Sequence, residues 1–357
     1  MNMNKTESPS LIDKDAHLCH VKERYPFKKI IATYENGNHW TTICSDGTRV
    51  RENKNENEKK FTFDFAENAD VKITNHCTAG CPFCHEGSSV SGKHADLDLP
   101  IFDTWKPGTE IAIGGGNVLD HPDLIPFLKK LKAHGAICNI TVNQKAVKEQ
   151  HWLLTKLIKE GLVNGIGISI TNPEKKDEWQ VVESVSKLSD NIVFHVIIGI
   201  VDETFLPYLK GRKVLFLGYK NNVGRGVDFN KEHKEEINKN IDWLASNLKA
   251  LSLTIRVMSF DNLALAQLDA RKNLNLTDEE WNLRFQGKDY GDPNGDDAPS
   301  TFYFDAVNKM IGRSSTQPYN ERIPYVAQSF EEAFKDSLSN YTINEGEYGE
   351  IKTKEAV

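Results

Sequence analysis

Two patterns of apolar and polar residues alternate between residues 70 and 217 of the chain. Short runs with a period of two are typical of β-strands, and apolar residues three or four positions apart are typical of amphipathic helices. Strands are predicted at Asp70–Asn75, Thr109–Ile113, Ala136–Val142, Gly165–Ile170, Asn191–Ile198 and Lys213–Leu217. Helices are predicted at roughly Pro122–His134, Ala146–Glu160, Asp177–Ser189 and, shorter, Glu203–Lys210. These repeated units predict an α/β fold with a parallel sheet and right-handed crossovers.

The regions on either side of this repeat have different patterns. Before it, Asn-Gly and Asp-Gly turns predict a β-meander with strands at Lys29–Tyr34, His39–Cys44 and Thr48–Arg51. After it, a long helix, a strand, a hairpin and a final helix are predicted at 232–250, 254–259, 301–311 and 329–338, with a polar, lid-like loop at Gly287–Pro299. We therefore expect three regions: an N-terminal β-rich segment (1–66), a core (67–228) and a C-terminal α+β extension (229–357) that faces the substrate.

Composition narrows the class of protein. The 357 residues carry a net charge of -7, so general attraction to nucleic acid or to an anionic membrane is not expected. The sequence shows no apolar leader and no long uncharged apolar run, and it has only six cysteines. We expect a cytoplasmic protein with reduced thiols, in which Cys19 and Cys44 are free.

Three of the six cysteines form a CxxxCxxC triplet directly after the first strand of the repeat, at Cys77, Cys81 and Cys84. A four-iron cluster takes one thiolate per iron, so three thiolates from one short loop would hold it and leave one iron open. A structural zinc site is the alternative, but such sites usually show two paired clusters or a Cys/His quartet. His85 could offer a fourth ligand, although adjacent ligands strain a tetrahedral site.

The triplet, with the aromatic Phe83 before its third cysteine, resembles the signature of the radical SAM superfamily. The resemblance covers residues 71–221 and implies a partial (β/α)6 barrel, a [4Fe-4S] cluster on the three cysteines and S-adenosylmethionine (SAM) on the open iron. In that family the reduced cluster cleaves SAM to methionine and a 5′-deoxyadenosyl radical, which takes a hydrogen atom from the substrate. The implied electron donor is a flavodoxin- or ferredoxin-type reductant.

The resemblance also implies SAM contacts at the carboxyl ends of the strands, where parallel barrels hold their sites. Gly114, Gly115 and Gly116 stand where the family has a Gly-Gly-Glu-like motif, and they keep its backbone role because no Cβ intervenes. Asn117 follows instead of the acidic residue. A bare glycine run is a weak signal, because many strand-to-helix turns contain one.

Later strands supply further candidates for SAM binding. Period-two alternation puts Asn143 on the polar face of its strand and Cys138 on the apolar face, so Cys138 is expected in the core. Ser169 is at the level where the family contacts the ribose, although an ordinary buried serine is an equal alternative. Ile197 and Gly199 match the family's GxIxGxxE pattern, which implies a place near adenine for Ile197.

Substrate contacts are assigned to polar residues near the same strand ends and in the extension: His195, Lys220, Arg225, Asp261, Asn262 and Asp305. A lysine and an arginine there could clamp a carboxylate or a phosphate. The alternatives are a satisfied core histidine at position 195 and ordinary surface solvation of the two cations.

Absent features bear on the substrate. Because no cysteine follows Cys138, auxiliary clusters of the kind found in many peptide-modifying relatives cannot form. The N-terminal meander is also unlike the winged-helix leader-binding domain of such enzymes. Both points favour a small molecule or a nucleotide over a peptide, without excluding a peptide. The alternative function is a non-catalytic Fe–S and SAM-binding sensor, which the missing acidic residue at position 117 motivates.

Overall fold

A computed structural model describes residues 11–58, 60–284, 300–315, 317, 319–326 and 328–339, without the side chains of 282–284 and 339. The predicted loop Gly287–Pro299 lies outside these residues. No helix in the ranges just given is long and apolar enough to cross a membrane.

The N-terminal region is a helix followed by a three-stranded antiparallel meander. Helix α1 (Lys14–Arg24) precedes β1 (Ile30–Asn36), β2 (His39–Cys44) and β3 (Arg49–Asn53), which pair in the order β1-β2-β3. The predicted meander is confirmed, whereas α1 was not predicted. It buries only His17 and Val21, so its sequence lacks the apolar stripe that usually reveals a helix.

All six strands predicted in the repeat are present, and they pair in chain order as parallel neighbours. They are β4 (Asn68–Thr74), β5 (Glu110–Gly115), β6 (Ile137–Asn143), β7 (Gly165–Ser169), β8 (Ile192–Ile197) and β9 (Lys213–Leu217). The connections contain α2 (Leu124–Ala133), α3 (Gln144–Lys159), α4 (Lys176–Val185) and α5 (Leu206–Leu209), and 3₁₀ turns at Pro100–Asp103, Val118–Asp120 and Glu203–Phe205. The chain therefore has a mixed α/β fold built on a large parallel sheet.

Strands from the predicted extension join both edges of this sheet. The later elements are α6 (Gly226–Leu251), β10 (Val257–Phe260), α7 (Asn262–Gln267), α8 (Ala270–Asn273), α9 (Asp278–Arg284), β11 (Thr301–Asp305), β12 (Met310–Gly312), β13 (Ile323–Pro324), α10 (Phe330–Ser339) and a 3₁₀ turn at Tyr319–Glu321. Strand β10 pairs parallel with β9, and β11 pairs parallel with β4, followed by antiparallel β12 and β13. Hydrogen bonds thus cross the predicted boundary at 228/229, and the domain limits stay predictions.

The two faces of the sheet differ in their side chains. One face carries buried apolar residues such as Val71, Ile113 and Ile168, which form the core. The opposite face, here called the site face, carries Lys72 and Asn143 among others, because successive residues of a strand point to opposite sides. Cys138 lies in the core as predicted, where burial raises the pKa of its thiol to about 12.

Loops at the carboxyl edge of the sheet contact one another across several strands. The connection from β9 to α6 packs on the loop after β4, since the backbone nitrogen of Arg225 donates to the carbonyl oxygen of Cys84 at 2.9 Å. Phe229 at the start of α6 lies edge-on to Phe83, with ring centroids 5.7 Å apart. The sheet therefore curves enough to bring these loops together, and closure into a six-stranded partial barrel stays a prediction.

Candidate cluster and cofactor site

The three cysteines of the triplet lie on one loop at the carboxyl end of β4. Each of them is half-buried, and none forms a disulfide. Gly80 has a φ of +69°, a conformation that favours glycine, and turns the chain between Cys77 and Cys81. The loop is anchored at its start by a hydrogen bond from the Cys77 nitrogen to the Ser89 carbonyl oxygen, 2.9 Å.

Burial raises the pKa of the Cys77 thiol, and it raises that of Cys81 to about 11, with a further contribution from the neighbouring Cys84 and Cys77. Two N–H groups point at sulfur, from Ala79 to Cys77 at 3.4 Å and from Asn143 Nδ2 to Cys81 at 3.8 Å. Such thiols need a positive partner to become thiolates, and a bound metal provides one.

Arg225 holds the cysteine loop from outside the sheet. Its Nε and Nη2 donate to the Cys81 carbonyl oxygen at 3.1 and 2.9 Å, and its Nη1 donates to that of Ser88 at 2.8 Å. The adjacent Gly224 leaves no room for a Cβ, which would meet the His85 carbonyl oxygen at 2.3 Å. The structure thus places Arg225, predicted to contact substrate, in a loop-anchoring position with three of its donor nitrogens already bonded.

The glycine run lies directly against the start of the cysteine loop. A Cβ on Gly115 or Gly116 would meet the carbonyl oxygen of Thr74 or His76 at 2.3 or 2.1 Å, whereas one on Gly114 would meet nothing within 4 Å. Gly115 and Gly116 therefore permit close backbone packing, while Gly114 borders open space. Asn117 is buried, and its Oδ1 accepts from the Leu119 nitrogen at 3.3 Å as a helix cap.

Asn143 and Ser169 end neighbouring strands and are paired in register. The Oδ1 of Asn143 caps α3 by accepting from the Lys145 nitrogen at 2.9 Å, and its amide points toward Cys81. The Ser169 hydroxyl makes no hydrogen bond within the described part of the chain, so it is free for a ligand. A small cleft brings together Cys77, Ala79, Gly116, Asn117, Asn143 and Lys145. A larger cavity of about 490 Å³ lies at the β10 edge and includes none of the predicted site residues.

His195 lies on the site face of β8, opposite Ser169 in register. Its ring occupies the space over Gly167, where any Cβ would lie 2.1 Å from the ring carbon Cε1. Burial lowers its pKa to about 4, so the ring is neutral at pH 7. Among the described residues no group forms a hydrogen bond with the ring, which therefore retains one donor and one acceptor.

Ile197 lies on the same face and packs beside the core. Gly199, with φ of +81°, packs on helix α6, since its Cβ would meet Ile237 Cγ2 at 2.8 Å. Its carbonyl oxygen accepts from Asn240 Nδ2 at 3.0 Å. The geometry thus gives Gly199 a packing role against α6.

The remaining predicted substrate residues are spread around the carboxyl edge. Lys220 donates to the Ser315 hydroxyl at 2.9 Å, which joins the end of β9 to the segment after β12. Asp261 caps α7, since its Oδ1 accepts from the nitrogens of Ala264 and Gly218 at 2.7 and 2.9 Å. Burial raises the pKa of this carboxyl group. Asn262 is the partly buried first residue of α7.

A buried ion network beside the cysteine loop was not predicted. Lys72 Nζ lies 2.7 Å from Glu86 Oε2 and 3.3 Å from Asp305 Oδ2. Asp305, a predicted substrate residue, is thereby committed to ion pairing, and Arg322 lies 3.8 Å from it. Burial opposes ionisation of Glu86, but His85 and Lys72 together hold its pKa well below the usual range. In the sequence, the signal for this network is a charged residue, Lys72, inside the predicted strand Asp70–Asn75.

The donor set suits a cluster better than a single metal ion. Within the described ranges, no group of three His, Cys, Asp or Glu residues could hold one metal ion. A four-iron cluster makes a different demand, because each thiolate binds its own iron and the sulfurs stand farther apart. The triplet supplies three half-buried thiols on one loop, which is the number that such a cluster takes when one iron stays open.

Comparisons with known proteins leave the family unassigned. No family model matches the chain, and no curated protein matches it. A similar solved structure is Streptococcus suis SuiB bound to precursor peptide SuiA, at 10% identity and a TM-score of 0.41. The match covers 71% of this chain and 60% of that chain, so this protein spans less than two thirds of SuiB. A likeness of this strength establishes neither family nor function.

Proposed function

We propose that the protein is a radical SAM enzyme that takes a hydrogen atom from a compact substrate. The observation that carries the proposal is the meeting of the CxxxCxxC loop, the glycine run and Asn143 at one cleft on the carboxyl edge of a parallel sheet. The separate sequence motifs thus converge at the edge where α/β sheets bind ligands. A partial barrel is part of this proposal.

Cys77, Cys81 and Cys84 would hold the [4Fe-4S] cluster. Such a cluster, once reduced, would supply one electron for the reductive cleavage of bound SAM. The backbone at Gly114 offers room for the methionine end of SAM, and the free Ser169 hydroxyl offers a hydrogen bond to its ribose. Phe83, Asn117, Ile197 and Gly199 complete the proposed cofactor surroundings. Arg225 keeps the loop in place through backbone carbonyls and so orients the thiols.

His195 is the best-supported substrate contact on the site face. A neutral imidazole that has no hydrogen-bond partner among the described residues binds hydroxyl or amide groups by hydrogen bonding, and it does not attract anions. The neutral His195 ring therefore supports a small molecule or a nucleoside-like group as the substrate, in preference to a charged peptide segment. A peptide substrate is the alternative. A flavodoxin- or ferredoxin-type protein would supply the electron, and the proposed compartment is the cytoplasm.

The test is an anaerobic assay of SAM cleavage. The cluster is reconstituted, SAM and a strong reductant are added, and 5′-deoxyadenosine and methionine are quantified. Wild type should form both, and Cys81→Ala should form neither. Cys19→Ala is the matched control, because Cys19 is an exposed thiol on α1 and should leave product formation unchanged.

A non-catalytic Fe–S and SAM-binding sensor is the second candidate. The observation that favours it is Asn117, which replaces an acidic residue and uses its side-chain oxygen to cap a helical turn. A sensor would bind SAM at the reduced cluster without forming 5′-deoxyadenosine. Detection of that product in the assay above would rule out the sensor.

A further inference from the structure

The ion network around Lys72 joins the cysteine loop to a distant part of the chain. Lys72 points to the site face of β4, and only 7% of its side chain is exposed. An ammonium group buried to this degree requires compensating partners. Its partners are Glu86, two residues after Cys84, and Asp305 on β11.

The β11 side of this network is rigidly supported. Asp305 and Lys72 are directly opposite in the parallel pairing of β11 with β4. The Asp305 carboxylate also accepts from the backbone and side-chain nitrogens of Asn308, at 3.0 and 2.9 Å. Arg322 donates to the carbonyl oxygens of Ser315 and Gln317, at 2.9 and 3.0 Å, and thus holds its own position beside Asp305.

The loop side depends on Lys72 to a greater extent. Glu86 is 11% exposed, and within the described residues its ion partners are Lys72 and the adjacent His85, at 2.7 and 3.3 Å. His85 belongs to the loop itself, so it cannot fix the loop to the sheet. The ion pair with Lys72 therefore connects Glu86 to strand β4. Arg225 anchors the preceding part of the loop, at Cys81, from the other side.

We propose that Lys72 is a positioning residue that fixes the third cluster ligand, Cys84, by pairing with Glu86. The proposal rests on the proposed function for its purpose, although the loop geometry it describes exists without metal. Without Lys72, Glu86 and Asp305 lose the buried cation that both of them contact, and the loop compensates by moving Glu86 toward solvent. Cys84 lies two residues away and moves with it.

The variants are Lys72→Met, which removes the charge at similar size, and Lys72→Arg, which keeps it. Lys231→Met is the neutral control, because it breaks an exposed pair with Asp228, and neither of these side chains bonds to the cysteine loop among the described residues. Glu67→Gln is the control for lost stability, because Glu67 belongs to another buried ion cluster, with Arg51, just before β4. If the role of Lys72 were purely structural, Lys72→Met and Glu67→Gln would both lose stability and would behave alike in the measurements below.

Two measurements separate positioning from stability. In the metal-free protein, the rate at which iodoacetamide modifies Cys84 should rise at least threefold in Lys72→Met and stay near wild type in Lys72→Arg, Lys231→Met and Glu67→Gln. In the reconstituted protein, iron content should fall by half or more in Lys72→Met. The change that SAM causes in the electron paramagnetic resonance spectrum of the reduced cluster should also be lost.

Equal alkylation rates in Lys72→Met and Lys231→Met would overturn the proposal, as would an equal rise in Glu67→Gln. Failure of the proposed function has a different signature: wild type itself would take up no cluster. The alkylation series decides the role of Lys72 in that case as well, because it needs no metal.

Discussion

The two ends of strand β4 carry polar clusters of opposite character. Before its first residue, Glu67 is fully buried and accepts from Arg51 Nε at 2.8 Å and from the Thr41 hydroxyl at 2.7 Å. After its last residue, the cysteine loop has half-buried thiols with few protein partners. A buried cluster whose charges pair with one another stabilises the fold, whereas thiols with few protein partners are available for a ligand. In the proposed function, the amino end of the strand contributes stability and the carboxyl end carries the cluster site.

The largest effect is expected from a variant that disrupts only the proposed cluster site at the carboxyl end of β4. Cys84→Ala should abolish the absorbance of the reconstituted cluster while leaving the unfolding midpoint of the metal-free protein nearly unchanged, because the thiol is half-buried and lightly bonded. Cys138→Ala is the matched control, since that thiol is in the core: it should keep the cluster and lose about 1 kcal/mol of stability. Full absorbance in Cys84→Ala would reject this residue as a ligand.

The second variant disrupts only the buried ion cluster at the amino end of β4. Glu67→Gln should lower the free energy of unfolding by about 3–5 kcal/mol, because it leaves Arg51 and Arg49 without their buried counter-charge. Urea denaturation measures this, with Glu35→Gln as control, since its pair with Lys54 is more exposed and should cost under about 1 kcal/mol. If both variants lose the same free energy of unfolding, the buried ion cluster contributes no more to stability than the exposed pair.

Acid should affect the same end of the strand. Burial of Glu67 favours its neutral form, but His39, Arg51 and Arg49 more than offset this and lower its pKa to about 2. A lowered pKa contributes stability that is complete above the unfolded-state value near 4.3 and is lost as pH falls toward 2, about 3 kcal/mol in all. Denaturation of the metal-free protein between pH 6 and 3 should show about half of this loss in wild type. In Glu67→Gln the corresponding slope should be absent.

The smallest expected effect is a change in SAM affinity, caused by a substitution within the proposed site. Ser169→Ala should weaken SAM binding to the reconstituted protein about 3- to 10-fold, the loss of one hydrogen bond, with stability unchanged. Isothermal titration measures the affinity, and Ser246→Ala on α6 is the control, since its hydroxyl bonds only within the helix. Unchanged affinity in Ser169→Ala would remove the serine from the proposed ribose contact.

Local patterns predicted the strands well because alternation is a property of neighbouring residues. The six strands β4 to β9 were found from it, and so was the burial of Cys138. The pairing of β11 with β4 could not be found in this way, because paired residues such as Asn68 and Thr301 are 233 positions apart and leave no shared local pattern in the sequence. The partner of Arg225 was missed for a related reason: backbone carbonyl oxygens are present at every residue and mark no position in a sequence.

The place of β11 in the sheet has a consequence for the order of events during synthesis. The cysteine loop leaves the ribosome early, whereas Asp305, which pairs with Lys72 beside it, is made more than 200 residues later. Contacts of such long range form late, and a growing chain holds β4 as an unpaired sheet edge until then. We expect the loop to reach its final shape only after β11 has emerged, so that metal loading follows translation rather than accompanying it.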